Sequence, residues 1–218
     1  MTRKFLAILA ALSLTACAGG AGGGFGGAGG YALVKVKEQD VGTGRMYVTP
    51  PREWNRMGSR IIADVRAVED WTQNGPYLDS LSFVAGLKDD KALVWQDKRA
   101  TRQVPRFDKD MTAPEIAAML ETFFRTRAGT IDFVELELKP RRFMGYPGFQ
   151  FDFDHLDGDE LWRRGRVVGA VIDERLFLIM LDAARSHYFD ATLPDFEAVV
   201  RTARLDSQPA PLGLSETP

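Results

Sequence analysis

The 218-residue sequence contains one cysteine and two histidines, and this scarcity excludes several kinds of site. A single cysteine cannot form an internal disulfide, and it cannot complete a metal site built from several thiolates. The histidines are His155 and His187, and no H-E-x-x-H zinc motif is present. The G-x-S-x-G elbow of hydrolases and the phosphate-binding P-loop are absent as well. The sequence therefore predicts a domain with no recognisable catalytic motif and no cofactor.

Long apolar runs and a strong charge of one sign are also lacking. The most apolar segment, residues 5–14, has ten residues, whereas a membrane-spanning helix needs about 20. Because this segment follows Arg3 and Lys4, residues 1–16 are predicted to be a signal peptide. Without them, 26 basic residues remain against 30 acidic ones. The resulting net charge of −4 argues against nucleic acid as a partner.

The only cysteine follows the apolar segment in the sequence Leu14-Thr15-Ala16-Cys17. This sequence resembles the lipobox of bacterial lipoprotein precursors, in which small residues precede a cysteine that receives a diacylglycerol group. The resemblance implies attachment to a membrane through lipid on Cys17. Ala18 stands where inner-membrane lipoproteins commonly carry aspartate, which favours the outer membrane with the domain facing the periplasm. The alternative is an ordinary signal peptide with a chance cysteine near its cleavage point.

Glycine-rich and proline-rich segments border one stretch of domain size. Residues 17–30 comprise the cysteine and a tether with nine glycines, which as a flexible coil would span about 20 Å. Residues 206–218 are rich in proline and lack periodicity, which is typical of a disordered tail. Residues 31–205 remain as a single domain, large enough to bury most of its apolar surface.

Two helices are predicted from their first residues and their apolar stripes. Thr112-Ala-Pro-Glu115 has the spacing of a capping box, and an apolar stripe follows it, so a helix is expected over residues 113–127. Thr192-Leu-Pro194 repeats this pattern of helix start before a second stripe. A second helix is therefore expected from about residue 192 to residue 203.

The remaining periodic segments alternate apolar and polar residues, as strands with one buried face do. In residues 134–138, Val134, Leu136 and Leu138 are expected to form the buried face. Residues 149–153 alternate phenylalanine with polar residues. Tight turns predict antiparallel pairing of the strands that follow. Further strands are expected at 160–172, 175–182, 45–49, 60–68, 81–85 and 92–95.

Two segments at the ends of this domain resemble the PsbP-like family of α/β/α sandwiches, which occurs in lumenal photosystem subunits and in bacterial envelope proteins. Residues 47–54, YVTPPREW, are a strand leading into proline and tryptophan. Residues 193–205, LPDFEAVVRTARL, are an amphipathic helix with a short apolar end. The resemblance implies an α+β fold, in which an antiparallel β-sheet packs against two or more helices. It also implies a non-enzymatic binding or assembly role.

An acidic run at residues 152–160 is a candidate metal site. Hard cations prefer oxygen ligands, and Asp154, Asp157 and Asp159 could form a weak cation site. The run does not fit a calcium-binding EF-hand loop, because its glycine falls one position too late. The alternative is a solvated hairpin tip with outward-facing acidic residues.

Basic and aromatic residues crowd the same region. Arg163, Arg164 and Arg166 could receive a phosphate or an anionic glycan. Neighbouring strand residues point to opposite faces, however, which favours a solvated strand instead. Six aromatic residues could line a groove for an apolar ligand or fill the core. They are Phe143, Tyr146, Phe149, Phe151, Phe153 and Trp162.

These observations favour a lipid-anchored envelope protein with a non-catalytic binding or assembly role, whose partner is another envelope protein. The first alternative is a periplasmic carrier or sensor of an apolar small ligand, held between helix 113–127 and the aromatic hairpin. The second is a hydrolase with a dispersed site. It requires His155 or His187 within hydrogen-bond reach of a carboxylate and a nucleophile.

Overall fold

The computed structural model describes residues 30–42, 45–58, 67–94 and 104–208. The predicted signal peptide, Cys17 and the tether up to residue 29 lie outside the described residues, as does the predicted tail beyond residue 208. Most of the predicted strand 60–68 lies outside them too, and residues 67 and 68 are not in a strand. None of the helices in the described ranges is both long enough and apolar enough to cross a membrane.

The described residues form eleven strands and two helices. In chain order they are β1 (Tyr31–Val34), β2 (Gln39–Val41), β3 (Met46–Val48), β4 (Trp54–Met57), β5 (Glu69–Thr72), β6 (Asp79–Lys88), α1 (Ala113–Arg127), β7 (Asp132–Pro140), β8 (Phe149–Leu156), β9 (Trp162–Ile172), β10 (Arg175–Ala184), α2 (Tyr188–Thr202) and β11 (Arg204–Leu205). The larger sheet has the order β1-β4-β5-β6-β10-β9-β8-β7, and its pairs are antiparallel. A smaller sheet has the order β11-β3-β2. The pairing of β6 with β10 joins the N-terminal strands to the C-terminal meander.

The two helices cover opposite faces of the larger sheet. Alternate residues of its central strands enter two separate hydrophobic cores, as the pleat of a strand requires. Phe83 and Ile179 belong to the core that contains residues of α2, whereas Val84 and Leu178 belong to the core that contains residues of α1. The predicted α+β sandwich, with an antiparallel sheet between helices, is therefore confirmed.

Helix α1 has the predicted bounds. The Glu115 carboxylate accepts a hydrogen bond from the backbone N–H of Thr112 at 2.7 Å, so the capping box closes the first turn. Ile116, Leu120 and Phe124 are buried against the sheet, as the apolar stripe predicts.

Helix α2 begins at Tyr188, four residues before the predicted start, and ends at Thr202. The start at Thr192 is therefore wrong. Phe189 is buried in the core beneath α2, seven residues before Phe196, so the apolar stripe extends through one more turn. Pro194 consequently lies inside the helix, where its missing N–H leaves one backbone carbonyl without its usual partner.

Strand β7 confirms the predicted element but not its predicted buried face. The pairing of β7 with β8 shifts beside Leu136, which is the additional residue of a β-bulge. Val134 and Leu136 are consequently exposed, while Phe133 and Leu138 pack against the core beneath α1. The expectation that Val134 and Leu136 are buried is wrong, because a bulge changes which residues face the core.

Residues 92–94 of the predicted strand 92–95 do not form a strand, although Val94 makes an isolated bridge, and residue 95 lies outside the described residues. Leu93 and Val94 are buried in the core beneath α1, and the neighbouring Lys91 forms only an isolated bridge with Phe107. Their apolar character reflects burial in an irregular segment, which a short run cannot distinguish from a strand. The other predicted strands are present as β3, β6, β8, β9 and β10.

Candidate functional site

An open cleft of about 530 Å³ lies on the α1 face of the sheet, beside the C-terminal end of that helix. We call it the α1 cleft. Its floor includes Ser80 and Ser82 of β6, Arg163 of β9 and Asp182 of β10. Residues from β1, β4, α1 and three connecting segments complete the lining. Those used below are Tyr31, Tyr77, Phe124, Arg127, Asp157 and Asp159.

A buried ion pair forms part of the cleft floor. The Nε–H of Arg163 donates to both carboxylate oxygens of Asp182, at 3.1 and 2.9 Å. The remaining guanidinium nitrogens donate to the backbone carbonyls of Tyr77 and Asp182. Burial alone would raise the pKa of Asp182, but Arg163 and a hydrogen bond from His155 outweigh it and lower that pKa. The Asp182 carboxylate is therefore ionised and fixed in place near neutral pH.

A second ion pair ties helix α1 to the edge of the cleft. Arg127 donates two hydrogen bonds to the Asp70 carboxylate of β5, at 3.1 and 2.8 Å. The Ser82 hydroxyl donates to the same carboxylate. This paired geometry is the strongest kind of arginine–carboxylate contact. The basic groups of the cleft are thus already oriented by the protein's own carboxylates.

The turn between β8 and β9 supplies the acidic side of the cleft. One oxygen of the Asp157 carboxylate accepts the backbone N–H groups of Asp159 and Leu161, at 3.0 and 2.9 Å. These bonds shape the turn, as aspartate commonly does. The other oxygen of Asp157 lies 4.0 Å from the guanidinium of Arg163, which is its nearest cation among the residues that the structure describes. Asp157 therefore has both a structural contact and an oxygen left for other donors.

The three acidic residues of the candidate cation site are not brought together. Asp157 and Asp159 line the α1 cleft, whereas Asp154 pairs with Arg164 and Arg185. Burial would raise the pKa of Asp154, but these two arginines hold it below its usual value. In the described ranges, which include all three, no group of three or more acidic, histidine or cysteine residues is placed to hold a metal ion.

His155 satisfies the distances of the hydrolase alternative but not its orientation. Its Nδ1 lies 3.0 Å from the Thr130 hydroxyl, and its Nε2 lies 3.0 Å from the Asp182 carboxylate. His155 and Thr130 are buried and do not line the cleft, whereas Asp182 does. In a working triad the nucleophile faces the substrate and the carboxylate lies behind the histidine, so this order is reversed. His187 precedes α2 and contacts the ring of Tyr188 instead.

The arginine run divides between the two faces of the sheet, as strand alternation predicts. Arg163 faces the α1 cleft, while Arg164 and Arg166 form paired contacts with Asp154 and Asp152 on the other face. Arg166 also contacts Glu197 of α2. Since each arginine already has a carboxylate partner, the arrangement gives the phosphate or glycan hypothesis no support.

The six aromatic residues singled out in the sequence are also divided between the two faces of the sheet. Phe153 contacts Phe124 and Phe133 with ring centroids 4.8 Å apart in both cases, so these rings fill the space beneath α1. Phe149 and Phe151 belong to this core, whereas Phe143 lies in the core beneath α2. Tyr146 packs beside Phe143, and Trp162 is covered by the guanidinium of Arg185. The six residues therefore do not line one groove.

Sequence reasoning missed the α1 cleft because its floor joins residues that are far apart in the chain. Ser80 lies about one hundred residues before Asp182, and Asp70 pairs with Arg127 across 57 positions. A buried arginine has no local signature that distinguishes it from its solvated neighbour. The alternation of Arg163 and Arg164 was the one available signal, and it indicated only that the two residues face different sides.

Neither a family model nor a curated protein sequence matches this chain. Among solved structures, it is similar to the cyanobacterial PsbP protein CyanoP from Synechocystis sp. PCC 6803, with a TM-score of 0.52 and 17% identity, covering 85% of this chain and 98% of that one. The Ran-binding protein Mog1p of Saccharomyces cerevisiae has a TM-score of 0.45 and 9% identity, covering 81% of this chain and 96% of Mog1p. LpqN of Mycobacterium tuberculosis, involved in cell envelope biogenesis, has a TM-score of 0.38 and 13% identity, covering 80% of this chain and 90% of LpqN. The similarity to CyanoP shows that this chain has the PsbP-like α+β fold.

Proposed function

We propose that this protein is a lipid-anchored component of the bacterial cell envelope, with a non-catalytic binding or assembly role exercised through the α1 cleft. The observation that carries the proposal is the cleft itself. It measures about 530 Å³, and its floor contains the buried Arg163–Asp182 pair. The sequence at Cys17 supports the anchor, and Ala18 favours the outer membrane with the domain facing the periplasm.

The cleft has the volume of a binding site, and its charged side chains are already fixed in position. Ligand-binding clefts commonly measure about 300–1,000 Å³. The Arg163–Asp182 and Arg127–Asp70 pairs hold the charged side chains in position before any partner arrives. A site that is already ordered loses little conformational entropy on binding. At the rim, the exposed ring of Tyr77 offers the kind of aromatic surface that is enriched in protein interfaces.

A polar segment of another envelope protein fits this lining best. The two ion pairs leave Asp157 and Asp159 as the charges without a full partner, so donor groups are favoured at that end. The carrier of an apolar small ligand needs an apolar void beneath α1, and the contacts of Phe124, Phe133 and Phe153 occupy that space. The hydroxyl that His155 contacts belongs to Thr130, and both residues are buried, so this pair offers no exposed nucleophile for hydrolysis.

Site-specific photocrosslinking in the lipidated protein tests the binding role. A photoreactive amino acid at Tyr77 places the probe at the cleft rim, and one at Leu136 places it on β7 as a matched exposed control. We expect a defined crosslinked envelope protein from position 77 only. The same product should be lost when Asp159→Lys reverses the charge at the acidic side of the cleft. Equal products from both positions, or no product from position 77, would contradict the cleft as the binding site.

The anchor requires a separate measurement. Intact mass and detergent partitioning of the protein from its native envelope would be compared with those of the Cys17→Ser variant. We expect a diacyl or triacyl mass increase that disappears in the variant, together with release from the membrane fraction. An unmodified protein cleaved at another residue would overturn the lipid anchor while leaving the cleft untouched.

A further inference from the structure

The first strand of the sheet and the bend that follows it expose apolar side chains that the fold does not use. Tyr31, Leu33 and Val36 are exposed by 47%, 57% and 55%. Lys35 and Lys37 lie between and beside them, and both are exposed. We call these five residues the β1 edge. Isolated exposed apolar residues are ordinary, but three together with two lysines make a surface that is both apolar and positively charged.

The strand that carries Tyr31 and Leu33 is held in place by its pairing with β4 and by one buried residue. Val34 packs in the core beneath α2 and pairs with Trp54 of β4. On the other side, β1 is the last strand in the order of the larger sheet. Tyr31 and Leu33 therefore project from a paired strand, and residues 35–37 follow directly in the segment that leads to β2.

The chain enters the domain at this same strand. Thirteen residues separate Cys17 from Tyr31, and nine of them are glycine. The sequence predicts an end-to-end distance of about 20 Å for this tether. A domain of this length has a radius of gyration of about 16 Å, and hence a diameter of roughly 40 Å. Because the average span of such a tether is shorter than the domain diameter, orientations that turn the side carrying β1 toward the point of lipid attachment are favoured.

We propose that the β1 edge rests on the lipid surface to which Cys17 is attached. Tyrosine favours the headgroup region of a membrane, because its ring is apolar and its hydroxyl is polar. Leu33 and Val36 enter the same region, and Lys35 and Lys37 contact the phosphates of anionic lipids. The tether makes this contact intramolecular, at an effective concentration in the millimolar range, so a weak affinity is sufficient.

This inference rests on the lipid anchor of the proposed function, and it adds an orientation. Tyr31 belongs both to the β1 edge and to the lining of the α1 cleft. When the β1 edge lies on the membrane, the cleft opens close to the headgroups. Its partner is then a segment that emerges from the membrane surface, not one that approaches from the middle of the periplasm.

Vesicle binding by the mature chain with Cys17→Ser tests the surface without the lipid. The vesicles contain phosphatidylcholine alone, or equal parts of phosphatidylcholine and phosphatidylglycerol. We compare the Leu33→Glu/Val36→Glu variant with Val134→Glu/Leu136→Glu, which places the same charges on the exposed β7 edge. Circular dichroism confirms that both variants are folded, as expected for exposed positions.

We expect binding to the anionic vesicles that weakens with added salt and falls by roughly tenfold or more in the β1 variant only. Failure of the unsubstituted chain to bind anionic vesicles, or equal losses in both variants, overturns the proposal. A chain that dimerises through β1, and becomes monomeric in the β1 variant without a change in vesicle binding, also overturns it. Crosslinking from Tyr77 and the mass at Cys17 are measured independently, so failure here is distinguishable from failure of the proposed function.

Discussion

The buried pair on the cleft floor gives the sharpest stability prediction. Arg163→Met keeps most of the apolar stem of the side chain and removes its charge and its hydrogen-bond donors. The Asp182 carboxylate then loses two bonds, and the carbonyls of Tyr77 and Asp182 lose one each. The side chains of Arg163 and Asp182 are only 4% and 12% exposed, so water from the cleft replaces only part of what the guanidinium provides. Removing one partner of a buried ion pair costs about 3–5 kcal/mol.

The adjacent residue provides a matched control on the same strand. The Arg164 side chain is 36% exposed, and its partner Asp154 retains Arg185 when Arg164 is removed. Arg164→Met should therefore reduce the free energy of unfolding by about 1 kcal/mol or less. Equilibrium urea unfolding of the mature chain with Cys17→Ser, followed by circular dichroism, measures both variants. Similar losses in the two would refute the assignment of Arg163 to a buried pair.

The same pair predicts a dependence on pH. Because the pKa of Asp182 is lowered in the folded protein, its ionised form stabilises the fold above the unfolded pKa of about 3.9. That contribution is lost as the pH falls through the folded pKa. Without Arg163, only the contacts of His155 oppose the effect of burial, so the pKa of Asp182 should be higher than in the unsubstituted protein. The deficit of Arg163→Met should thus be largest near neutral pH and shrink below about pH 4. A deficit independent of pH would contradict this reasoning.

Two further substitutions test the packing of the sheet and of α2. A methyl group at Gly165 would overlap the ring of Phe153, so Gly165→Ala should lower the free energy of unfolding by about 1–3 kcal/mol. The control is Gly158→Ala, where the nearest atom to the added methyl group is 3.5 Å away, and it should change the free energy of unfolding by less than about 0.5 kcal/mol. Thermal unfolding measures both variants. Pro194→Ala restores a backbone N–H inside α2, so it should raise the free energy of unfolding by about 1–3 kcal/mol. A lower melting temperature than that of the unsubstituted chain would contradict this expectation.

Local patterns predicted the elements that local interactions decide. Helix α1 has its predicted bounds because Thr112 and Glu115 determine its start within one turn. The start of α2 was wrong because burial of Phe189 outweighs the start signal at Thr192. The two signals compete, and a capping residue contributes less than burying a phenylalanine side chain.

The features that the sequence did not predict depend on contacts between residues that are far apart in the chain. The bulge at Leu136 follows from the pairing of β7 with β8, and alternation alone gives no indication of it. The α1 cleft combines Asp70, Arg127, Arg163 and Asp182 from four elements, so no spacing along the chain predicts it. Sequence reasoning identified the hairpin that carries Asp157 and Arg163, but it could not show which of their neighbours face the cleft.

The pairing of strands across the whole chain has a consequence for the order of folding. Strand β6 pairs with β10, which is synthesised about one hundred residues later. Strand β3 pairs with β11, which is the last strand of the domain. The Thr202 hydroxyl completes this closure by bonding Thr49 across 153 positions. Such long-range pairing is slow, because the loop must close before its contacts stabilise it. A nascent chain therefore cannot join the two halves of its larger sheet until β10 has been synthesised, so the sheet stays incomplete for most of translation.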